Sequence, residues 1–214
     1  MVKFYEGDFL FKFSWDQVAR GFWSRYPNPY SQHVLTEDVL SREIRDKKLF
    51  SLRLLTKTNR IPKWGERFVS NRTVSIIEES VVDPVNKILM THTKNIGYTK
   101  VMGVEEKCVY RESGENNKWT LVERKAWISS NLFGFARAVE VFGFERFRKN
   151  SQRAMLGFQY ILEHMFTPDP IPDRGSGSLL DKSKIKETAK KATELAKARA
   201  SPLVAACTPN NQNS

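Results

Sequence analysis

The sequence predicts an α+β fold: a curved antiparallel sheet of about seven strands, wrapped by a short N-terminal helix and a long C-terminal helix. Three observations predict it. Most of residues 1–173 alternate apolar and polar side chains with the period of two that a half-buried strand requires. The connections between these runs are short and rich in turn residues, which restricts successive strands to antiparallel pairing. A proline-free stretch with helical apolar spacing follows the last strand, at residues 131–166.

The first alternating run is KFYEGDFLFKF, residues 3–13. Ser14 then stands as an N-cap before Trp15-Asp16-Gln17-Val18, opening a short helix that Pro27-Asn28-Pro29 must stop by about Tyr26. Further strands are read from LFSLRLLTK (49–57), RTVSIIEESVVD (72–83) and KWTLVERKAWIS (118–129). Asp46-Lys47-Lys48, Asp83-Pro84-Val85-Asn86 and Ser113-Gly114-Glu115-Asn116-Asn117 supply the turns between neighbours. Phe135, Val139, Phe142, Phe147, Ala154, Phe158 and Ile161 then recur near helical spacing, predicting one long helix with a bend at Gly143. A sheet gripped in this way can enclose a cavity or close on a filled core. Periodicity reads the same for both, and a filled core is the commoner outcome.

The chain divides by composition into a domain over residues 1–170, a linker over 171–180 and a tail over 181–214. The tail side, residues 174–214, has no aromatic residue and opens on Arg174-Gly175-Ser176-Gly177-Ser178. Its DKSKIKETAKKATELAKARA segment has high helix propensity but a thin apolar stripe, so a marginal helix is expected there, followed by a disordered polar end. The net charge of +11 is shared between the parts: residues 1–173 hold 27 basic and 21 acidic side chains, residues 174–214 hold 8 and 3. An anionic partner is therefore to be sought, whether nucleic acid, membrane or acidic ligand.

Several chemistries are argued against. Cys108 and Cys207 make neither a disulfide framework nor a metal pair, and Cys108 reads as a small buried apolar residue of a strand. His33, His92 and His164 are the only histidines, and no metal-protease motif, phosphate loop or nucleophile elbow occurs. No catalytic residue, cofactor or metal is expected. The longest uncharged apolar-leaning run, Ala126 to Ala136, is too short to span a bilayer. The N-terminus carries Glu6 and Asp8 where a secretory signal is apolar and a transit peptide avoids acids.

Four groups of residues can bind an anion. Arg25 closes the short helix beside two prolines; it either caps the helix C-terminus or turns inward to meet a phosphate. Arg53 and Lys57 are four apart in a strand and so share a face. Arg146, Asn150 and Arg153 fall at i, i+4 and i+7 of the long helix, facing water or lining the same concavity. In Asn59-Arg60-Ile61-Pro62-Lys63-Trp64-Gly65-Glu66-Arg67-Phe68, apolar groups interleave with cations across two structure breakers. Such a loop suits an anionic membrane surface, with Trp64 as an ordinary packing anchor being the alternative.

Arg25-Tyr-Pro-Asn-Pro-Tyr, His33-Val-Leu-Thr-Glu-Asp, Arg53-Leu-Leu-Thr-Lys-Thr-Asn, Pro62-Lys-Trp64, Val82-Asp83-Pro84, Val104-Glu-Glu-Lys-Cys-Val-Tyr110 and Ser130-Asn-Leu-Phe-Gly134 together resemble the PRELI family of intermembrane-space lipid-transfer proteins. The resemblance runs in register over about residues 1–170. The tail resembles, by composition, the late-embryogenesis-abundant-like extension of animal members. The family implies a seven-stranded sheet and helices around a lipid cavity closed by a mobile loop. It implies carriage of phosphatidic acid, or in other branches phosphatidylserine, from the outer to the inner mitochondrial membrane, supporting cardiolipin synthesis. A small twin-CX9C helical protein is implied as heterodimer partner, and the intermembrane space as location.

By position, the resemblance places Arg25 deep in the cavity and His33, Arg53, Lys57, Arg146, Asn150 and Arg153 along the rest of a headgroup-binding track. Arg60, Ile61, Pro62, Lys63, Trp64, Arg67 and Phe68 become the lid, in transient contact with anionic membranes. Some members carry lysine where this chain has Arg146 and Arg153, which keeps the charge but changes the hydrogen-bond geometry. A buried Arg25 needs water or an acidic neighbour while the cavity is empty. Two rival readings remain: a basic nucleic-acid-binding protein, which lacks any recognised motif and is not favoured, and an enzyme acting on a lipid in the same cavity.

Overall fold

The computed structural model describes residues 2–58, 61, 63–69 and 72–166, with the backbone alone at Trp64; the linker and tail expectations lie outside the described residues. Seven antiparallel strands form one sheet: β1 (Val2–Phe11), β2 (Val34–Arg45), β3 (Lys48–Thr58), β4 (Thr73–Asp83), β5 (Ile88–Asn95), β6 (Gly103–Glu112) and β7 (Thr120–Ser129). Their order across the sheet is β1-β7-β6-β5-β4-β3-β2, so β2 to β7 form a meander and β1 returns beside the last strand. The predicted class is thus the observed one.

The turns follow their residues. Asp46 and Lys47, at φ of +50° and +60°, form the tight β2–β3 hairpin whose left-handed centre matches strand twist. At the β4–β5 turn, Val85 N and Asn86 N donate to Asp83 Oδ1 at 3.1 and 3.0 Å. Strand β2 is exposed on both faces for most of its length, and two register irregularities mark its pairing with β3. This is why it lacks the alternation seen elsewhere.

Helix α1 (Trp15–Gly21) opens on Ser14 with a capping box: Gln17 N donates to Ser14 Oγ at 3.4 Å, and Ser14 N donates to Gln17 Oε1 at 2.9 Å. A 3-10 turn, Phe22–Ser24, carries the chain to Arg25. Helix α2 (Ala136–Met165) begins five residues later than residue 131, where the sequence spacing places it, because Gly134 takes φ of +75° and Phe135 precedes the helix as its cap residue. It runs uninterrupted through Gly143. The glycine serves close approach: a Cβ there would stand 2.6 Å from Met102 Sδ and 2.9 Å from Ile128 Cγ2.

At about 1.5 Å per residue, α2 is long enough to cross the whole sheet. It packs on β1, β7 and α1. The filled core lies at one end, where Phe11, Phe13, Trp15, Val18, Phe22, Phe158 and Leu162 interlock. The other end is hollow. Filled core and cavity, alternatives on periodicity alone, therefore coexist under one sheet. Among the described residues no helix is long and apolar enough to cross a membrane.

Candidate functional site: a cation-lined cavity

A cavity of about 260 Å³ lies between β3–β7, the 25–33 segment and α2. Its walls are largely apolar, with Leu55, Ile76, Val104, Val139, Phe142 and Phe147 among them. Strand alternation positions these groups: inward positions are odd in β3 and even in β4, β6 and β7, and Lys57, Glu78, Glu106 and Arg124 on those positions line the cavity. Two carboxylates, Glu78 and Glu106, and four cations, Arg25, Lys57, Arg124 and Arg146, line it; Lys94, also at its wall, is exposed and shares the outer face of the sheet with Ile77 and Glu105.

The floor is built around Glu78, directly opposite Arg53 in the β3–β4 register. Arg25 ion-pairs with Glu78 Oε2; Arg53 Nε donates to Glu78 Oε1 at 3.0 Å, and its Nη1 pairs with Glu37. Both guanidiniums also lie over the Phe22 ring, at 4.2 and 4.7 Å from its centroid. Arg25 is therefore turned inward, and the reading of it as a helix cap does not hold. Asn28 Nδ2 donates to the Arg25 carbonyl at 2.7 Å, which closes the 3-10 turn. Arg25 Nε has no hydrogen-bond partner among the described residues, leaving a donor at the cavity floor.

A second buried pair was missed by sequence reasoning. Arg124 Nε lies 2.9 Å from Glu106 Oε1 without hydrogen-bond alignment, and Arg124 Nη1 donates to Ser151 Oγ at 2.6 Å. Glu78, Glu106 and Arg124 were each legible in principle, since each occupies an inward position of an alternating strand, Glu78 between Ile76 and Ser80 and Arg124 between Val122 and Ala126. A charged residue on an apolar face is the signal.

The expected headgroup residues separate into groups. Arg25, His33, Lys57, Arg146 and Asn150 line the cavity together. Arg53 does not: it is 1% exposed and lies behind Glu78, although it shares the strand face of Lys57. Arg153 is exposed at the edge, close enough to act electrostatically on His33. In the expected lid, a 3-10 turn over Lys63–Phe68, the Ile61 side chain, with Gly65 and Val69, lines the cavity, while Lys63 and Arg67 are exposed and the Phe68 ring sits 5.6 Å from that of Phe135. Arg60 and Pro62 lie outside the described residues, as does the Trp64 side chain. Cys108 is buried, and burial pushes its thiol up to about 12, so it is inert as expected of a structural cysteine.

His33 reports the local field. Burial first, then Lys57, Arg153 and Arg146, lower its imidazole to about 4, so it is neutral at pH 7. An anion among those cations cancels their repulsion and raises the imidazole again, so anion binding takes up a proton below the ordinary value of 6.5. Affinity for an anionic ligand is therefore expected to rise as pH falls from about 6.5 towards 4. His33→Gln should flatten that rise in lipid-binding titrations; equal slopes for both proteins would remove His33 from the ligand's field.

The profile of the PRELI-like family matches residues 16–168. The chain belongs to the PRELI-like family. It is 50% identical to "PRELI domain-containing protein 1, mitochondrial" of Bos taurus over 201 residues, covering 92% of this chain and 87% of that protein. It is 49% identical to the Homo sapiens protein of that name, over 92% and 87% of the two chains. "Protein UPS1, mitochondrial" of Saccharomyces cerevisiae is 32% identical, over 77% of this chain and 95% of its own length. Among solved structures, TTHA0849 from Thermus thermophilus shares the fold, with a TM-score of 0.54 at 12% identity over 76% of this chain and 99% of that one. The family assignment agrees with the motifs at Arg25, His33, Arg53 and Pro62-Lys63-Trp64, several independent stretches that one short pattern could not have matched.

Proposed function

We propose that this PRELI-like chain carries phosphatidic acid from the outer to the inner mitochondrial membrane across the intermembrane space, in complex with a small twin-CX9C helical protein, and so supports cardiolipin synthesis. The observation that carries this reading is the cavity of a family member in which four cations accompany two carboxylates among apolar walls. The mitochondrial setting rests on the names of its relatives. A phosphate monoester of about −1.5 to −2 charge suits such a lining. Acyl chains, at about 0.8 kcal/mol per methylene withdrawn from water, need walls like those of Leu55, Ile76 and Phe142. Carriage makes and breaks no bond, so the site needs no nucleophile or general base.

Headgroup choice follows from the carboxylates. The ammonium of phosphatidylserine seeks an acceptor, but Glu78 is held by Arg25 and Arg53 and Glu106 by Arg124. Phosphatidic acid is thereby favoured over phosphatidylserine. Transfer between donor and acceptor liposomes, with the cargo recovered for mass spectrometry, tests both parts. The expected result is faster transfer of phosphatidic acid than of phosphatidylserine, each returned chemically intact. Equal rates would remove the headgroup assignment, and a hydrolysed or modified lipid would replace carriage with catalysis.

A further inference from the structure

Phe133 is 99% exposed, at the tip of the segment joining β7 to α2. Scattered exposed apolar residues are ordinary on any protein surface. This one stands on a backbone that is held in place. Ser130 Oγ donates to the Val101 carbonyl at 2.7 Å, Asn131 N to the Lys100 carbonyl at 3.2 Å, Leu132 N to Ser130 Oγ at 3.2 Å, and Phe135 N to the Leu132 carbonyl at 3.0 Å. Gly134, in the left-handed region, turns the chain back directly after the ring. The fold thus presents the ring and does not pack it.

The surroundings of Phe133 have one chemical character. Arg67 lies over the Phe68 and Phe135 rings, at 4.6 and 4.7 Å, which ties the 63–68 turn to this segment. Lys100 and Arg137 are exposed beside it in sequence or through the backbone bonds above, and Ile96 and Phe135 add exposed apolar surface. Glu66, 3.6 Å from Arg72, is the carboxylate on this rim. The inner sides of the same segments, at Ile61, Val69, Tyr98 and Val101, line the cavity. An exposed apolar tip with exposed cations on the neighbouring segments of a cavity wall is the composition of an interfacial anchor, in which rings enter the headgroup zone and Lys and Arg meet lipid phosphates.

We propose that Phe133 inserts into an anionic bilayer and, with the cations of the 63–68, 96–102 and 130–137 segments, seats that cavity wall on the membrane. This rests on the lipid-carrier reading but assigns a docking residue outside both the headgroup track and the lid. The test uses the full chain and phosphatidylcholine vesicles with or without phosphatidylglycerol, an anionic lipid that is not the proposed cargo. Phe133→Ala is expected to weaken binding to the anionic vesicles about ten-fold, and Phe133→Leu to recover most of the loss. Because the ring is exposed, circular dichroism and phosphatidic acid loading from detergent, read by native mass spectrometry, should match wild type in both variants. Unchanged vesicle affinity for Phe133→Ala overturns the assignment. So does a variant that keeps vesicle affinity but no longer holds a helical protein partner, which would make the ring a protein contact. Failure of wild-type protein to load phosphatidic acid would instead strike the cargo reading, a separate measurement.

Discussion

Glu78→Gln should destabilise the folded protein by about 3–5 kcal/mol, the cost of breaking a buried ion pair by removing one partner. Two guanidiniums, Arg25 and Arg53, converge on this one carboxylate, which is itself 3% exposed. Without it, Glu37 remains as partner to Arg53 alone, and Arg25 is left buried among Phe22, Tyr26 and the apolar wall. For a chain of this size the loss corresponds to a fall in melting temperature of about 10 °C. The pH dependence has a definite sign. Burial alone would raise the Glu78 carboxyl, but Arg25 and Arg53 outweigh it and hold the group below its usual range. Its contribution is therefore present above the ordinary value of 4.5 and is lost as pH falls through the folded value. Thermal melts of the variant and wild type between neutral and acid pH check both points. A variant melting within about 2 °C of wild type at pH 7 would show that the network contributes little. Arg53→Ala belongs to the same experiment: at 1% exposure it is a structural partner of Glu78, and its loss should act on stability before transport.

Lys57→Ala combined with Arg146→Ala should reduce phosphatidic acid transfer about a hundred-fold or more, with the fold retained. A hydrogen bond to a charged group contributes about 1.5–3 kcal/mol, and two such groups at one phosphate are removed together. Both residues line the cavity and act on His33, so they surround one point in space. An independent readout comes with the variant: the His33 imidazole should titrate closer to its ordinary value once two of its three cationic neighbours are gone. Transfer at wild-type rates, together with a shifted His33, would place the phosphate elsewhere in the cavity, at the Arg25 or Arg124 end. The contrast with Glu78 sets two expectations apart: loss of stability when the floor network is broken, and loss of transfer with the fold intact when the α2 and β3 walls are changed.

Much of this architecture was legible before any coordinates. Strands β1, β3, β4 and β7 announced themselves by alternation because in each the inward positions are on the whole more buried than the outward ones. Strand β2 did not, because it is an edge strand exposed on both faces, with Ile44 78% exposed. At the site, Arg25, His33, Lys57, Arg146 and Asn150, which the motif resemblance brings together, line one cavity, whereas Arg53, grouped with them by the same resemblance, lies behind Glu78. The reason is physical: strand spacing tells which face a side chain takes, but not whether a partner from the next strand intercepts it. Glu78 is that partner, 25 positions away and directly opposite in register.

The sequence by itself determined the antiparallel class, the short capped helix at Ser14, the long closing helix and the family, because these rest on local periodicity, capping chemistry and contiguous motifs. Only the tertiary structure decided that the space beneath the sheet is filled at one end and hollow at the other. Only it decided which of the many cations are neutralised by buried carboxylates. Both depend on residues far apart in the chain meeting in three dimensions, where the Coulomb energy of a pair and the space left between β3–β7 and α2 are set by distances that no local pattern encodes.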